Sequence, residues 1–134
     1  LDEAYCVFDK DGRDREGRDT YQEALNKSAK ARLSAKQTLT AIPSVPCFEY
    51  WLLLHFTYST RSFNTPNEVA KALASHLPGY AKGAHAVFQH VAAQLPKAEI
   101  RAERACAAAE EANTDNPSTH VHKLVTAMRI VAAM

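Results

Sequence analysis

The chain has 134 residues, 46% of them hydrophobic, with sixteen basic and fifteen acidic side chains for a formal net charge of +1. That length suits one domain, the apolar content excludes a disordered chain, and the balanced charge removes any global electrostatic case for nucleic-acid binding, so a basic surface must be local. Cys6, Cys47 and Cys106 show no C-x-x-C spacing, which argues against a zinc cluster and a disulfide framework and fits a reducing cytosol.

No signal peptide and no apolar run long enough to span a bilayer is evident, so a cytoplasmic protein without a membrane partner is expected. The chain starts at Leu1 rather than Met and enters an apolar run within a few residues. It reads as the excised part of a longer protein with material upstream.

The first element is the run Tyr5-Cys6-Val7-Phe8, rich in aromatic and β-prone residues and without clean alternation. That pattern predicts a strand buried on both faces. Asp9 and Asp11 fall at or just past its carboxyl end, the edge where open α/β sheets bind ligands. Two carboxylates one residue apart repel unless a cation or proton lies between them, and a hard divalent ion such as Mg²⁺ is the natural occupant. Asp-Lys-Asp-Gly is also a good turn sequence, with Gly12 supplying a positive φ.

Residues 11–19 form a charged loop with two glycines. Basic residues cluster there, at Arg13 to Arg18, and again from Lys27 to Lys36. A helix is predicted over about 20–32, capped by Asp19 or Thr20, with Tyr21, Ala24, Leu25, Ala29 and Leu33 as its apolar stripe. Gln37 to Ile42 predicts a second strand, and strand–helix–strand in this order suggests a βαβ unit with parallel strands. Pro43-Ser44-Val45-Pro46 is expected to break the chain.

Residues 47–56, Cys-Phe-Glu-Tyr-Trp-Leu-Leu-Leu-His-Phe, are the most apolar stretch and predict a buried helix beginning near Pro46. Glu49 falls in its first turn, where the helix dipole favours an anion. An acid in so apolar a segment costs several kcal/mol of desolvation unless it is paired or metal-bound, which makes Glu49 a candidate site residue. His55 reads either as a satisfied core histidine near the helix end or as a catalytic group.

Thr65-Pro66-Asn67-Glu68 is a strong helix start, and the helix should run to about His76 with Val69, Leu73 and Leu77 inside. Leu77-Pro78-Gly79-Tyr80 then turns the chain. A helix is predicted over 84–95, with Val87, Phe88, Val91 and Leu95 inside and Pro96 as its stop. An alanine-rich helix should follow over 97–112 and pack through small side chains. Asn113 to Pro117 is a polar break. Ser118 is expected to cap a last helix over 119–133, with Val121, Leu124, Val125, Met128 and Val131 inside. The first third is thus α/β and the rest helical.

Four segments together resemble the RloB-like family. They are Val7-Phe8-Asp9-Lys10-Asp11, the run from Pro46 to Phe56, Pro78-Gly79-Tyr80-Ala81-Lys82, and the stretch from Asn116 to Val125. The resemblance spans nearly the whole chain, as a single domain over 1–134 with 1–45 as the α/β remnant and 46–134 as the helical part. The Pro-Cys-Phe-Glu-x-Trp-Leu-Leu-x-His-Phe pattern is its specific core.

The resemblance implies a partial Toprim-like parallel sheet followed by a mostly helical portion. It also implies association with restriction–modification loci and phage defence, often beside an AAA-type ATPase partner. It further implies a Mg²⁺- or Mn²⁺-dependent phosphodiesterase, a nuclease acting on DNA or RNA, with Asp9 and Asp11 as the Asp-x-Asp metal pair and Glu49 as a further metal ligand. The early acid of Toprim domains has no counterpart here, because it would lie upstream of Leu1. On that reading the fragment by itself lacks one metal ligand and one central strand, and an inactive fragment is expected.

Candidate catalytic groups are Glu49, Lys82 and His55, with Lys82 or the arginines of the 13–18 loop on the scissile phosphate. His120 and His122 could touch substrate, but two residues apart on a helix they would face different ways and not chelate one metal. The alternative function is a non-catalytic effector subunit docking on the ATPase.

Overall fold

The computed structural model of the protein describes residues 2–10, 20–30, 37–80 and 86–134. Strand β1 (Asp2–Asp9) pairs in parallel with β2 (Gln37–Val45), and helix α1 (Tyr21–Lys30) lies between them in sequence, so the expected parallel βαβ unit is present. A third strand, β3 (Ser118–Thr119), pairs antiparallel with β2 and gives the sheet order β1-β2-β3. The remaining elements are helical: α2 (Glu49–Leu53), α3 (Pro66–Ala74), α4 (Val87–Val91), a 3₁₀ turn over Ala92–Gln94, α5 (Leu95–Glu111) and α6 (Val121–Ala132). The fold class is α/β with a helical C-terminal part.

β1 corrects one expectation. Among the described residues it is an edge strand, and Cys6 and Val7 are exposed rather than buried on both faces. An aromatic and β-branched run fits any pleated surface, and burial on the second face depends on a neighbour the run itself does not specify. β2 is the central strand. It runs three residues beyond the expected stop at Ile42, and Ile42 to Val45 are all buried.

Pro43 is tolerated inside β2 because of where β3 ends. Its carbonyl accepts from the His120 N–H at 3.0 Å, so its missing donor also faces β3, at the point where β3 has given way to α6. The Val45–Pro46 and Asn116–Pro117 peptides are cis.

The 47–56 segment is buried as expected, but its α-helical part is only Glu49–Leu53. Tight turns continue it, with His55 N–H donating to the Leu52 carbonyl and Phe56 N–H to Leu53. It forms the heart of the core with Ile42, Phe63, Val69 and Leu73, and with the alanine face of α5. Ala98, Ala102, Ala105 and Ala109 are buried along that face. Four small side chains at three- and four-residue spacing let backbones approach closely. Arg101 reaches from α5 to donate to the Leu54 carbonyl at 2.8 Å, satisfying a group the short helix leaves open.

Thr65 caps α3 as expected, its hydroxyl accepting from Glu68 N–H at 3.4 Å. Glu68 reaches back one residue further than a capping box requires, to the N–H of Asn64 at 2.7 Å. Pro96 begins α5 rather than stopping its predecessor, because a proline in the first turn lacks only an N–H that would have no partner there. α5 ends at Ala112 with Asn113 at φ 56°, Thr114 N–H on the Ala109 carbonyl and Asn113 N–H on Glu110. This is a Schellman closure with asparagine in the left-handed position.

Ser118 does not cap α6; it pairs in β3, and the helix starts later with His120 at its N-cap. Val121 is buried, but Met128 and Val131 are exposed, against the expectation that they lie inside. In α1, Ser28 is buried and Ala29 exposed, a rotation of the expected stripe; Leu33 lies outside the described residues.

Candidate functional site

The carboxyl ends of β1 and β2 lie side by side, with Asp9 paired to Ser44 in register. One residue later Val45 and Pro46 lead the chain into Cys47-Phe48-Glu49, which crosses back over the end of β1. The crossing is fixed by a hydrogen bond: the Phe48 N–H donates to Asp9 Oδ1 at 2.9 Å. The strand-end acid is thereby joined to the most apolar segment of the chain. Glu49, one residue on, is 6% exposed.

Electrostatics place four groups in one region. Burial pushes the Cys47 thiol up to about 12, and the negative charges of Glu49 and then Asp9 add to the shift. Burial also raises the Tyr80 phenol, again with Glu49 and then Cys47 acting on it. Asp9, Cys47, Glu49 and Tyr80 are therefore neighbours at the rim of the sheet. Both perturbed groups are held in their neutral, proton-bearing forms. Tyr80 is brought there by the turn at Gly79, whose φ of 80° favours glycine. The sequence marked that turn as a helix stop and as part of a family segment; nothing in the residue pattern shows that its tyrosine lies near the carboxylates.

Asp11, Lys82 and the arginines between 13 and 18 lie outside the described residues. Of the expected metal ligands, Asp9 and Glu49 are placed at the same end of the sheet. Among the described residues no group of three or more His, Cys, Asp or Glu could hold a metal ion. The donor chemistry present, two carboxylates, suits a hard divalent cation such as Mg²⁺.

His55 sits in a different environment. It is 2% exposed, its Nδ1–H donates to the Trp51 carbonyl at 3.0 Å, and its ring stands edge-on to Trp51 with centroids 4.9 Å apart. Burial lowers its pKa first, and the charge of Arg101 lowers it further. With Phe48, Trp51, Leu52, Val91 and Leu95 it lines an apolar cavity of about 330 Å³. These are the surroundings of a satisfied core histidine.

The far side of β2 carries a second polar region. Ser44 Oγ and Thr119 Oγ1 lie 2.7 Å apart, buried, and tie β3 to β2. The Cys106 thiol donates to the Thr119 carbonyl at 3.2 Å. His120 and His122 follow, with ring centroids 6.5 Å apart. Burial pushes His120 down to about 4, helped by Lys123 and His122, and lowers His122 in the same way. Both are neutral imidazoles near pH 7. Lys10, directly after Asp9, spans the end of the sheet to pair with Asp115 at 2.9 Å.

A family model described as RloB-like protein matches residues 1–128, nearly the whole chain. No curated protein and no solved structure matches it. No helix among the described residues is long and apolar enough to cross a membrane.

Proposed function

The chain belongs to the RloB-like family, and from that premise we propose that it is a Toprim-like, divalent-metal-dependent phosphodiesterase, the nuclease subunit of a bacterial phage-defence system acting on DNA or RNA. One observation carries the reading. Asp9 at the carboxyl end of β1 is hydrogen-bonded to the segment that presents the buried Glu49, and both charges act on the same thiol. Carboxylates gathered at a sheet's carboxyl edge are costly unless a cation or proton offsets their repulsion.

Asp9, Glu49 and Asp11 would hold Mg²⁺ or Mn²⁺, which supplies charge neutralisation at the phosphate and a more acidic water. The chain's own contribution is positional. The Phe48 N–H fixes one Asp9 oxygen and so orients that carboxylate at the end of β1. The buried thiol of Cys47 and phenol of Tyr80 stay protonated, adding no charge to the site. Lys82 and the 13–18 arginines are the groups proposed for the phosphate, as point charge and forked donor respectively.

The test uses the full-length protein. Asp9→Asn and Asp11→Asn should each abolish Mg²⁺- or Mn²⁺-dependent cleavage of DNA or RNA and weaken Mn²⁺ binding in calorimetry, with melting temperature nearly unchanged. Variants that cut at the wild-type rate refute the assignment.

A second reading, a non-catalytic effector docking on an AAA-type ATPase, is favoured by α6, whose Met128, Ile130 and Val131 are exposed. Its signature would be ATPase binding that survives Asp9→Asn but is lost on replacing those three side chains by polar ones.

A further inference from the structure

Beside β3 lies a cavity of about 330 Å³ that the carboxylate site does not use. It opens between the end of α5, the loop after it, and the start of α6. Its polar lining is Glu110, Thr114, Asp115, Ser118, His120 and Lys123. We propose that this cavity is a base-binding pocket, taking the amino-bearing base of a nucleotide that flanks the bond held at the carboxylate site.

The charge pattern selects the ligand. Two carboxylates, Glu110 and Asp115, face one ammonium group, Lys123, and Asp115 already shares the ammonium of Lys10. Glu110 and Asp115 thus offset Lys123 and Lys10, which leaves no surplus of positive charge to hold a phosphate, so the cavity is not a phosphate cradle. Ser118 Oγ already donates to the Asp115 carbonyl and adds no free donor. What remains is a set of carboxylate acceptors, one ammonium donor, and a neutral imidazole that can give or take a hydrogen bond. That set matches an edge carrying an exocyclic amino group beside a carbonyl or ring nitrogen. Guanine, cytosine and adenine have such an edge, and carboxylates accept well from base amino groups. Uracil and thymine have no exocyclic amino group.

The position fits as well. Asp9 pairs with Ser44 and Ser44 with Thr119, so the cavity wall at His120 begins two strands away from the carboxylates. At the usual strand spacing that is roughly 10 Å, a step of one or two nucleotides along an extended strand. The Lys10–Asp115 ion pair holds the pocket wall to the residue that follows Asp9. The choice of a nucleic-acid base, rather than another amino-bearing ligand, rests on the nuclease reading above.

The experiment is calorimetric titration of the full-length protein, without divalent metal, with GMP, CMP, AMP, UMP and inorganic phosphate. The three amino-bearing nucleotides should bind at least about tenfold more tightly than UMP, the discrimination one good base-edge contact supplies, and phosphate should not bind. Glu110→Gln and Lys123→Ala, both at exposed positions, should keep the wild-type melting temperature and lose that preference. No binding by any nucleotide, equal binding of UMP, or variants that bind as the wild type does would each overturn the pocket.

Cleavage of oligonucleotides with Mg²⁺ separates this proposal from the one beneath it. If Asp9→Asn abolishes cutting while Glu110→Gln leaves affinity and cut positions unchanged, the pocket falls and the nuclease stands. If nucleotide binding depends on Glu110 but the wild type never cuts, the nuclease falls and the pocket stands.

Discussion

His120 shows how much one side chain's surroundings change its chemistry. Burial, with Lys123 and His122 beside it, takes its pKa from 6.5 to about 4. As pH falls, the unfolded chain binds this proton first, so stability rises with pH across that window. The contribution is present above about 6.5, is lost as pH drops towards about 4, and changes no further below it. His55 and His122 shift in the same direction and add to the slope. Melting temperature should therefore fall between pH 7 and pH 5, and His120→Gln should fall less over the same interval. An identical slope in the variant would show that His120 is not the half-buried, neutral group described.

At the same scale the candidate site was partly legible. Asp9 could be picked out because it ends an apolar run one residue before Asp11, and Glu49 because it is an acid in an apolar segment, where desolvation has to be offset. Cys47 and Tyr80 could not, since a cysteine and a tyrosine in apolar or turn segments are unremarkable until the fold sets them beside those acids. His55 was ambiguous for the same reason: its apolar context suits a core residue and a catalytic one equally, and only its bond to the Trp51 carbonyl describes what it does.

Among the elements, α2 is short and carries an unusual share of the packing. All five of its residues are buried, and Tyr50 donates from its hydroxyl to the Ser59 carbonyl at 2.7 Å. Trp51 is 5% exposed and borders the apolar cavity. Trp51→Ala should cost about 3 kcal/mol, near the low end for a large aromatic truncation because the neighbouring void already denies the ring some contacts. Chemical denaturation measures it, and wild-type stability would mean the segment is not core.

The elements also show where pattern reading works and where it stops. α3 was legible because Thr65, Pro66 and Glu68 are local signals that act within one turn. The alanine face of α5 was legible from composition. Pro96 misled because a proline can end one helix or begin the next, and the residues on either side do not settle which. β3 escaped because two residues, Ser118 and Thr119, carry no periodicity; their pairing with Ser44 and Val45 is a tertiary fact. The exposure of Met128 and Val131 was hidden in the same way, since an apolar stripe shows that a face wants a partner but not which residues find one.

Across the whole molecule, the sheet is what joins the α/β third to the helical remainder. β2 lies between a parallel partner from the start of the chain and an antiparallel one from near its end. The Ser44–Thr119 hydroxyl pair at 2.7 Å bridges 75 residues of sequence, and Thr119 Oγ1 also accepts from the Val121 N–H that opens α6. One side chain thus sets both the strand pairing and the start of the last helix, and with it the distance between the carboxylate rim and the cavity at His120. Thr119→Val keeps the shape and removes the oxygen, leaving the buried Ser44 hydroxyl and the Val121 N–H without that partner. A cost of about 1–3 kcal/mol is expected for such orphaned buried groups, read from denaturation midpoints. Thr119→Ser, which restores the oxygen, should recover most of it. Should the valine variant match the wild type, the two parts are held together by the apolar core alone, and the spacing between the two sites does not depend on β3.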